Sequence, residues 1–149
     1  MNLKGNRTRT AARLALGLLF SVFGLNGFLH FLPQPPSSPD AAVFGAALAA
    51  TGYMFPLIKG TELVAGLLLL TRRAVPFALV LLAPVVVNIV AFHLFLDPAG
   101  LPLGLVALAL GLYLAWTERA VYAPLFATAT PSERSSRAPA GGHADATAT

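Results

Sequence analysis

The sequence contains no cysteine. That absence excludes a disulfide framework, a thiol–disulfide relay and a cysteine-ligated iron–sulfur cluster within the chain. Charge is scarce too. Asp, Glu, Lys and Arg make up 11% of 149 residues, where a soluble domain carries roughly 25%. The charges stand in short clusters between long apolar stretches, which soluble packing could not cover without exposing large apolar patches. There is no H-E-x-x-H, no nucleotide-binding glycine loop and no nucleophile elbow, so these signatures of zinc hydrolysis, dinucleotide binding and acyl transfer are missing. The abundant class is apolar. Hydrophobic residues make up 56% of the chain, and the solvent that suits them is a lipid bilayer.

A helix needs about 20 predominantly apolar residues to cross the hydrocarbon core. Four stretches answer to that length, at about 14–32, 52–71, 75–96 and 101–120. The first contains Ser21, Asn26 and His30, the second Lys59, Thr61 and Glu62, and the third Asn88 and His93. Ala41–Ala50 is too short to cross and lies between turn signals, so it is expected as a short extra lid helix in the first outer loop. The basic start, with Lys4, Arg7, Arg9 and Arg13, would suit a signal peptide. However, the first apolar stretch exceeds the usual core of about 7–15 residues and no A-x-A site follows it, so it is read as retained. The fold class expected is all-α, an integral membrane four-helix bundle over 14–122. A basic segment precedes it over 1–13, and an Ala/Thr/Ser/Pro-rich tail, expected to be disordered, follows over 123–149.

Orientation follows from the basic residues. The N-terminal segment, the Thr71–Ala74 connection with Arg72 and Arg73, and the C-terminal part with Arg119, Arg134 and Arg137 hold every Lys and Arg except Lys59. The connections 32–51 and 97–100 have only Asp40 and Asp97. Both termini are therefore expected in the cytoplasm. The wealth of Ala, Leu, Gly and Pro suggests a bacterial genome, and so the bacterial inner membrane. The net charge of +4 is read as topology and attraction to anionic headgroups, not as nucleic-acid binding. Pro56, Pro76 and Pro102 fall in the opening turns of spans two to four, where a missing N–H is harmless. Pro33, Pro35, Pro36 and Pro39 make the first outer loop stiff and non-helical. Pro84, inside span three, is expected to kink it. The four-residue recurrence of Ala107, Gly111 and Ala115 reads as close helix packing.

Charged groups at the bilayer centre cost about 2.5–3.5 kcal/mol each on insertion scales. Span two holds Lys59 and Glu62 three residues apart on one face, with Gly66 four residues further on. One reading is a self-compensating pair; the other, favoured because intramembrane ionisable residues are functional by default, is a site that binds or protonates something. At about 1.5 Å of rise per residue, Glu62 lies mid-span, Lys59 a turn outward, Asn26 and Asn88 just outward of the midplane, and His30 and His93 near the outer boundary. These six groups are expected to gather in the outer half. Asn26…His30…Pro33 and Asn88…His93…Pro98 also resemble each other, as a duplicated helix pair or convergent helix exits would. Two histidines at like depth allow a bis-histidine haem, and His30, His93 and Asp97 allow a metal site. The reading preferred is that they reach for interfacial water, with no metal.

Tyr53-Met-Phe-Pro-Leu-Ile-Lys59-Gly-Thr-Glu62-Leu-Val-Ala-Gly66-Leu-Leu-Leu-Leu resembles the second-helix signature of the DoxX-like family. Ala83-Pro-Val-Val-Val-Asn88-Ile-Val-Ala-Phe-His93-Leu-Phe-Leu-Asp97-Pro98 resembles its third helix, and Arg13 followed by a Gly/Leu-rich helix ending Asn26-Gly-Phe-Leu-His30 resembles its first. The resemblance spans roughly Arg13 to Tyr122. It implies a small four-helix bacterial membrane protein and nominates Glu62, then Lys59, Asn88 and His93. It further implies a quinone-interacting or accessory subunit of a membrane oxidoreductase system, not a self-sufficient enzyme. No intrinsic cofactor is expected; a quinone would come from the membrane, and the partners would be lipids, a redox protein and further copies of the chain. The alternatives are a small-solute or proton transporter, with Glu62 binding the proton and Pro84 permitting movement, and a scaffold without catalytic activity.

Overall fold

The computed structural model describes residues 3–33 and 36–126, and every regular element among them is helical. Helix α1 is Leu3–Leu29, α2 Pro39–Ala50, α3 Met54–Leu70, α4 Val75–Phe95, α5 Leu101–Thr117 and α6 Arg119–Phe126, with one 3-10 turn at Pro98–Gly100 before α5. α1 packs most extensively on α3, α3 on α4, α4 on α5, and α5 returns to α1. The expected basic segment over 1–13 is thus, from Leu3 on, the opening of α1 itself. Ala12 already belongs to the buried core. The tail expected over 123–149 lies, from residue 127 on, outside the described residues.

The lid helix is present and starts earlier than Ala41. Ser38 caps it, its Oγ accepting from the Ala41 N–H at 3.1 Å, and Pro39 occupies the first helical turn. Pro39 is therefore a helix starter instead of part of the stiff loop, because its missing N–H would have had no helical partner there. The Ser38 hydroxyl also donates to the Leu96 carbonyl at 2.5 Å, and Phe44 meets Phe92 with ring centroids 5.6 Å apart. These contacts hold α2 over the end of α4. Gly52, at φ 74°, then turns the chain so that α3 leaves at 94° to α2.

Three helices are long and apolar enough to cross a membrane: Gly5–Leu29, Val75–Phe95 and Pro98–Thr117. The bent pair α2–α3 is a fourth if taken as one broken span. α3 alone has 17 residues, a rise of about 25 Å against a hydrocarbon core of about 30 Å. α4 runs unbroken through Pro84. The buried core is narrow, built on Leu16, Phe20, Leu69, Leu82 and Leu114. Large apolar side chains such as Leu18, Val87, Phe95 and Trp116 stand exposed on the outside. A chain that buries so few of its apolar residues against itself has an exterior made for lipid.

Small residues let α1 and α3 touch backbone to backbone. A Cβ on Gly24 would lie 2.7 Å from the Leu63 nitrogen, and one on Gly66 would lie 2.6 Å from the nitrogen and hydroxyl oxygen of Ser21. At the basic end, side chains tie the helices together. Arg13 donates to the last carbonyls of α3, Leu69 and, at 3.0 Å, Leu70, where cations are favoured. Arg9 pairs with Glu118 at the end of α5. The Tyr122 hydroxyl donates to the Pro76 carbonyl at 2.8 Å.

Two outcomes follow. Gly24→Ala should destabilise the protein by about 1–3 kcal/mol, since backbone atoms meet the new methyl, whereas Gly60→Ala, with nothing within 4 Å, should not destabilise it; thermal unfolding in detergent measures both. Burial, with the Glu118 charge second, raises the Tyr122 pKa above 10.0. The folded chain then holds that proton where the unfolded chain has lost it, so stability should decline as pH rises from about 10 through the folded value. Tyr122→Phe should remove that decline and cost about 0.5–1.5 kcal/mol at neutral pH.

Candidate functional site

Lys59 and Glu62 lie on one face of α3, a turn apart. The Lys59 ammonium donates to both carboxylate oxygens, at 3.1 Å to Oε1 and 2.8 Å to Oε2. Glu62 is sealed, its side chain 3% exposed, while that of Lys59 is 22% exposed. The lysine stem fits against α1 where Gly27 leaves room, since a Cβ there would lie 2.3 Å from Lys59 Cγ. The Phe55 ring centroid is 5.9 Å from the ammonium, at the outer limit of a cation–π contact. One turn inward from Glu62, where Gly66 meets α1, the Ser21 hydroxyl oxygen is buried with no hydrogen-bond partner among the described residues. The α1–α3 seam is thus a polar strip inside an apolar assembly, and only its lysine edge reaches the surface.

The other four nominated residues share no hydrogen bond or ion pair with this one among the described residues. Asn26 is buried on α1, where its Oδ1 accepts from the Leu32 N–H at 2.7 Å and its carbonyl accepts from the His30 N–H at 2.9 Å. It closes the end of its own helix. His30 is the residue that turns the chain there, exposed and at φ 52°. His93 packs in the α4–α5 turn, edge-on to Phe92 with centroids 5.0 Å apart. Its Nδ1 is 2.8 Å from the Asp97 carbonyl oxygen. A carbonyl only accepts, so Nδ1 carries the proton there. A Cβ on Gly100 would lie 2.0 Å from the ring, so that glycine makes the seat. Asn88 is exposed on α4, and among the described residues its amide has no hydrogen bond.

Among the described residues, the Lys59–Glu62 pair is the one place where two of the six side chains share a hydrogen bond, and Asn88 and His30 are exposed. Rise per residue gives a group's height but not its azimuth, and Asn88 is about 200° round the helix from the buried Val86. Among the described residues no three His, Asp or Glu side chains stand together as a metal site. His30, His93 and Asp97 in particular do not stand together as such a site. The contact between His93 and Asp97 runs to the Asp97 backbone. Beyond these six, the partnerless Ser21 hydroxyl and the Arg9–Glu118 pair were not singled out from sequence. A lone acidic residue at the basic end of a span was the available signal for the second.

No family model, curated protein or solved structure matches this chain. The pair holds an ammonium that can donate a hydrogen bond outward and a carboxylate that water cannot reach directly.

Removing one partner leaves the other charge unpaired in a poorly solvated place, a loss of about 3–5 kcal/mol for buried pairs. Lys59→Met should destabilise by about that much, because Glu62 is the more deeply buried. The double variant Lys59→Met/Glu62→Leu should recover most of the loss, as a double-mutant cycle in detergent would measure.

Proposed function

We propose that the chain is a four-helix membrane bundle of DoxX-like kind, an accessory subunit through which a membrane oxidoreductase system engages a quinone from the lipid phase. The observation that carries this reading is the asymmetry of the Lys59–Glu62 pair. Glu62 is sealed in the α1–α3 seam and anchors the ammonium, and the ammonium forms the exposed edge. A hydrogen-bond donor fixed at an apolar surface, beside the Phe55 ring, suits a carbonyl oxygen on an otherwise apolar ring. Charge-assisted hydrogen bonds of this kind are about twice as strong as neutral ones. The sequence has no nucleotide-binding glycine loop, and in this reading the electrons would come from a partner protein.

In this reading the basic end, with Arg9, Arg13, Arg72 and Arg73, lies at the cytoplasmic face of the bacterial inner membrane, and α3 is the fourth span. α2 then lies near the outer surface, since it leaves α3 at 94°. The outward Asn88 amide is both donor and acceptor, which suits contact with a second copy of the chain.

A scaffold is the second reading, favoured by the closed, two-oxygen geometry of the pair, which leaves Glu62 no free carboxylate oxygen on that side. Purification in mild detergent and quantitation of bound quinone separates the two. Glu62→Gln and Lys59→Met, each verified as folded, should lower retained quinone by about tenfold or more, the loss of one charged hydrogen bond. Retention at the wild-type level by both variants would leave the scaffold reading in possession.

A further inference from the structure

The basic end of the helices holds a second arrangement that the Lys59–Glu62 pair does not use. A cleft there is lined by Asn6, Arg9, Thr10, Arg13, Arg72 and Glu118, among others. Three arginines face one carboxylate. Arg9 spends one amine on Glu118, and Arg13 spends one on the carbonyls of Leu69 and Leu70. Arg72 makes no side-chain hydrogen bond or ion pair among the described residues. A guanidinium has five N–H donors, so most of the donors at this cleft are left free. The cleft itself is about 20 Å³, room for about one water, so a larger anion would sit at its mouth.

A second feature adjoins it. A shallow groove of about 310 Å³, lined by Asn6, Arg7, Thr10, Ala11 and Leu14, shares Asn6 and Thr10 with the cleft. It runs along the outer face of α1, and its surface is almost wholly apolar. An arginine cluster opening directly into an apolar groove, at the end of helices long enough to cross a membrane, has the chemical division of a phospholipid.

We propose that the cleft and groove together bind one anionic phospholipid, its phosphodiester on Arg72 and the free N–H groups of Arg9 and Arg13, and an acyl chain along Ala11 and Leu14. The planar guanidinium forks match phosphate oxygens in pairs, which lysines would not. A soluble phosphate would be recognised by the same arginines but would have no use for the groove. The inference rests on the helices lying in a bilayer and is independent of the quinone reading.

The test uses the full chain in mild detergent, with native mass spectrometry counting lipid bound from phosphatidylglycerol or phosphatidylcholine of identical acyl chains. Phosphatidylglycerol should be retained in clear preference. Arg72→Gln, which breaks no hydrogen bond or ion pair among the described residues, should lower its occupancy about fivefold, the effect of one basic residue near an anionic headgroup. Arg73→Gln removes the same charge from the same connection but does not line the cleft, and should stay within about twofold of wild type. Equal losses in the two variants would show diffuse surface attraction and overturn the proposal. So would equal retention of the two lipids. Displacement of phosphatidylglycerol by inorganic phosphate, but not by chloride at matched ionic strength, would make the ligand a soluble anion and overturn it as well.

Discussion

The close approach of α1 and α3 is the constraint on which the rest of the molecule depends. With Gly24 against the Leu63 backbone and Gly66 against Ser21, the two helices meet without intervening side chains. In lipid, where apolar burial drives little helix association, such contact supplies the dispersion that replaces it. The same contact shuts water away from whatever polar group lies in the seam. Glu62 lies there, and its partner is set by that enclosure. A carboxylate in such surroundings needs a countercharge within reach, and Lys59, one turn away on the same helix, provides it without calling on another element.

Polar groups elsewhere in the spans are absorbed in different ways, each set by local geometry. Asn26 satisfies backbone donors beyond the end of α1, and His93 closes the turn into α5 through the Asp97 carbonyl. Both do what unsatisfied backbone at a helix end demands where water is scarce. Lys59 and Glu62 serve no helix end, and Asn88 has no hydrogen-bond partner among the described residues. What is left over after structural need is met is therefore small among the described residues: one ion pair with an exposed edge, one outward amide and the buried Ser21 hydroxyl.

The two ends of the molecule differ in how they are closed. At the end that holds α2, closure is by helix capping and aromatic contact, with Ser38 joining Leu96 and Phe44 meeting Phe92. At the opposite end it is ionic and long-range in sequence, with Arg13 on the C-terminus of α3 and Arg9 on Glu118. Arginines used in this way retain unspent donors, so one cluster both ties helices together and presents positive charge at one end of the molecule. Orientation signal and structural clamp are the same residues.

Much was legible in order along the chain. Apolar run length marked the helices, proline marked their opening turns at Pro56, Pro76 and Pro102, and two like-spaced charges marked Lys59 and Glu62 as a pair, because i,i+3 spacing on a helix leaves no other neighbour so near. Ser38 and Pro39 also carried a readable helix start, which the proline-rich surroundings obscured. These properties depend on residues within a turn or two of each other, so the sequence by itself determines them. Direction across the molecule does not depend on near neighbours. Whether Asn88 turned inward or out, whether Asn26 met Glu62 or its own helix end, and which helix Arg13 and Arg9 would clasp were decided only when α1 settled on α3. The physical reason is that these choices follow the azimuths of whole helices, which packing sets jointly and no single stretch of sequence contains.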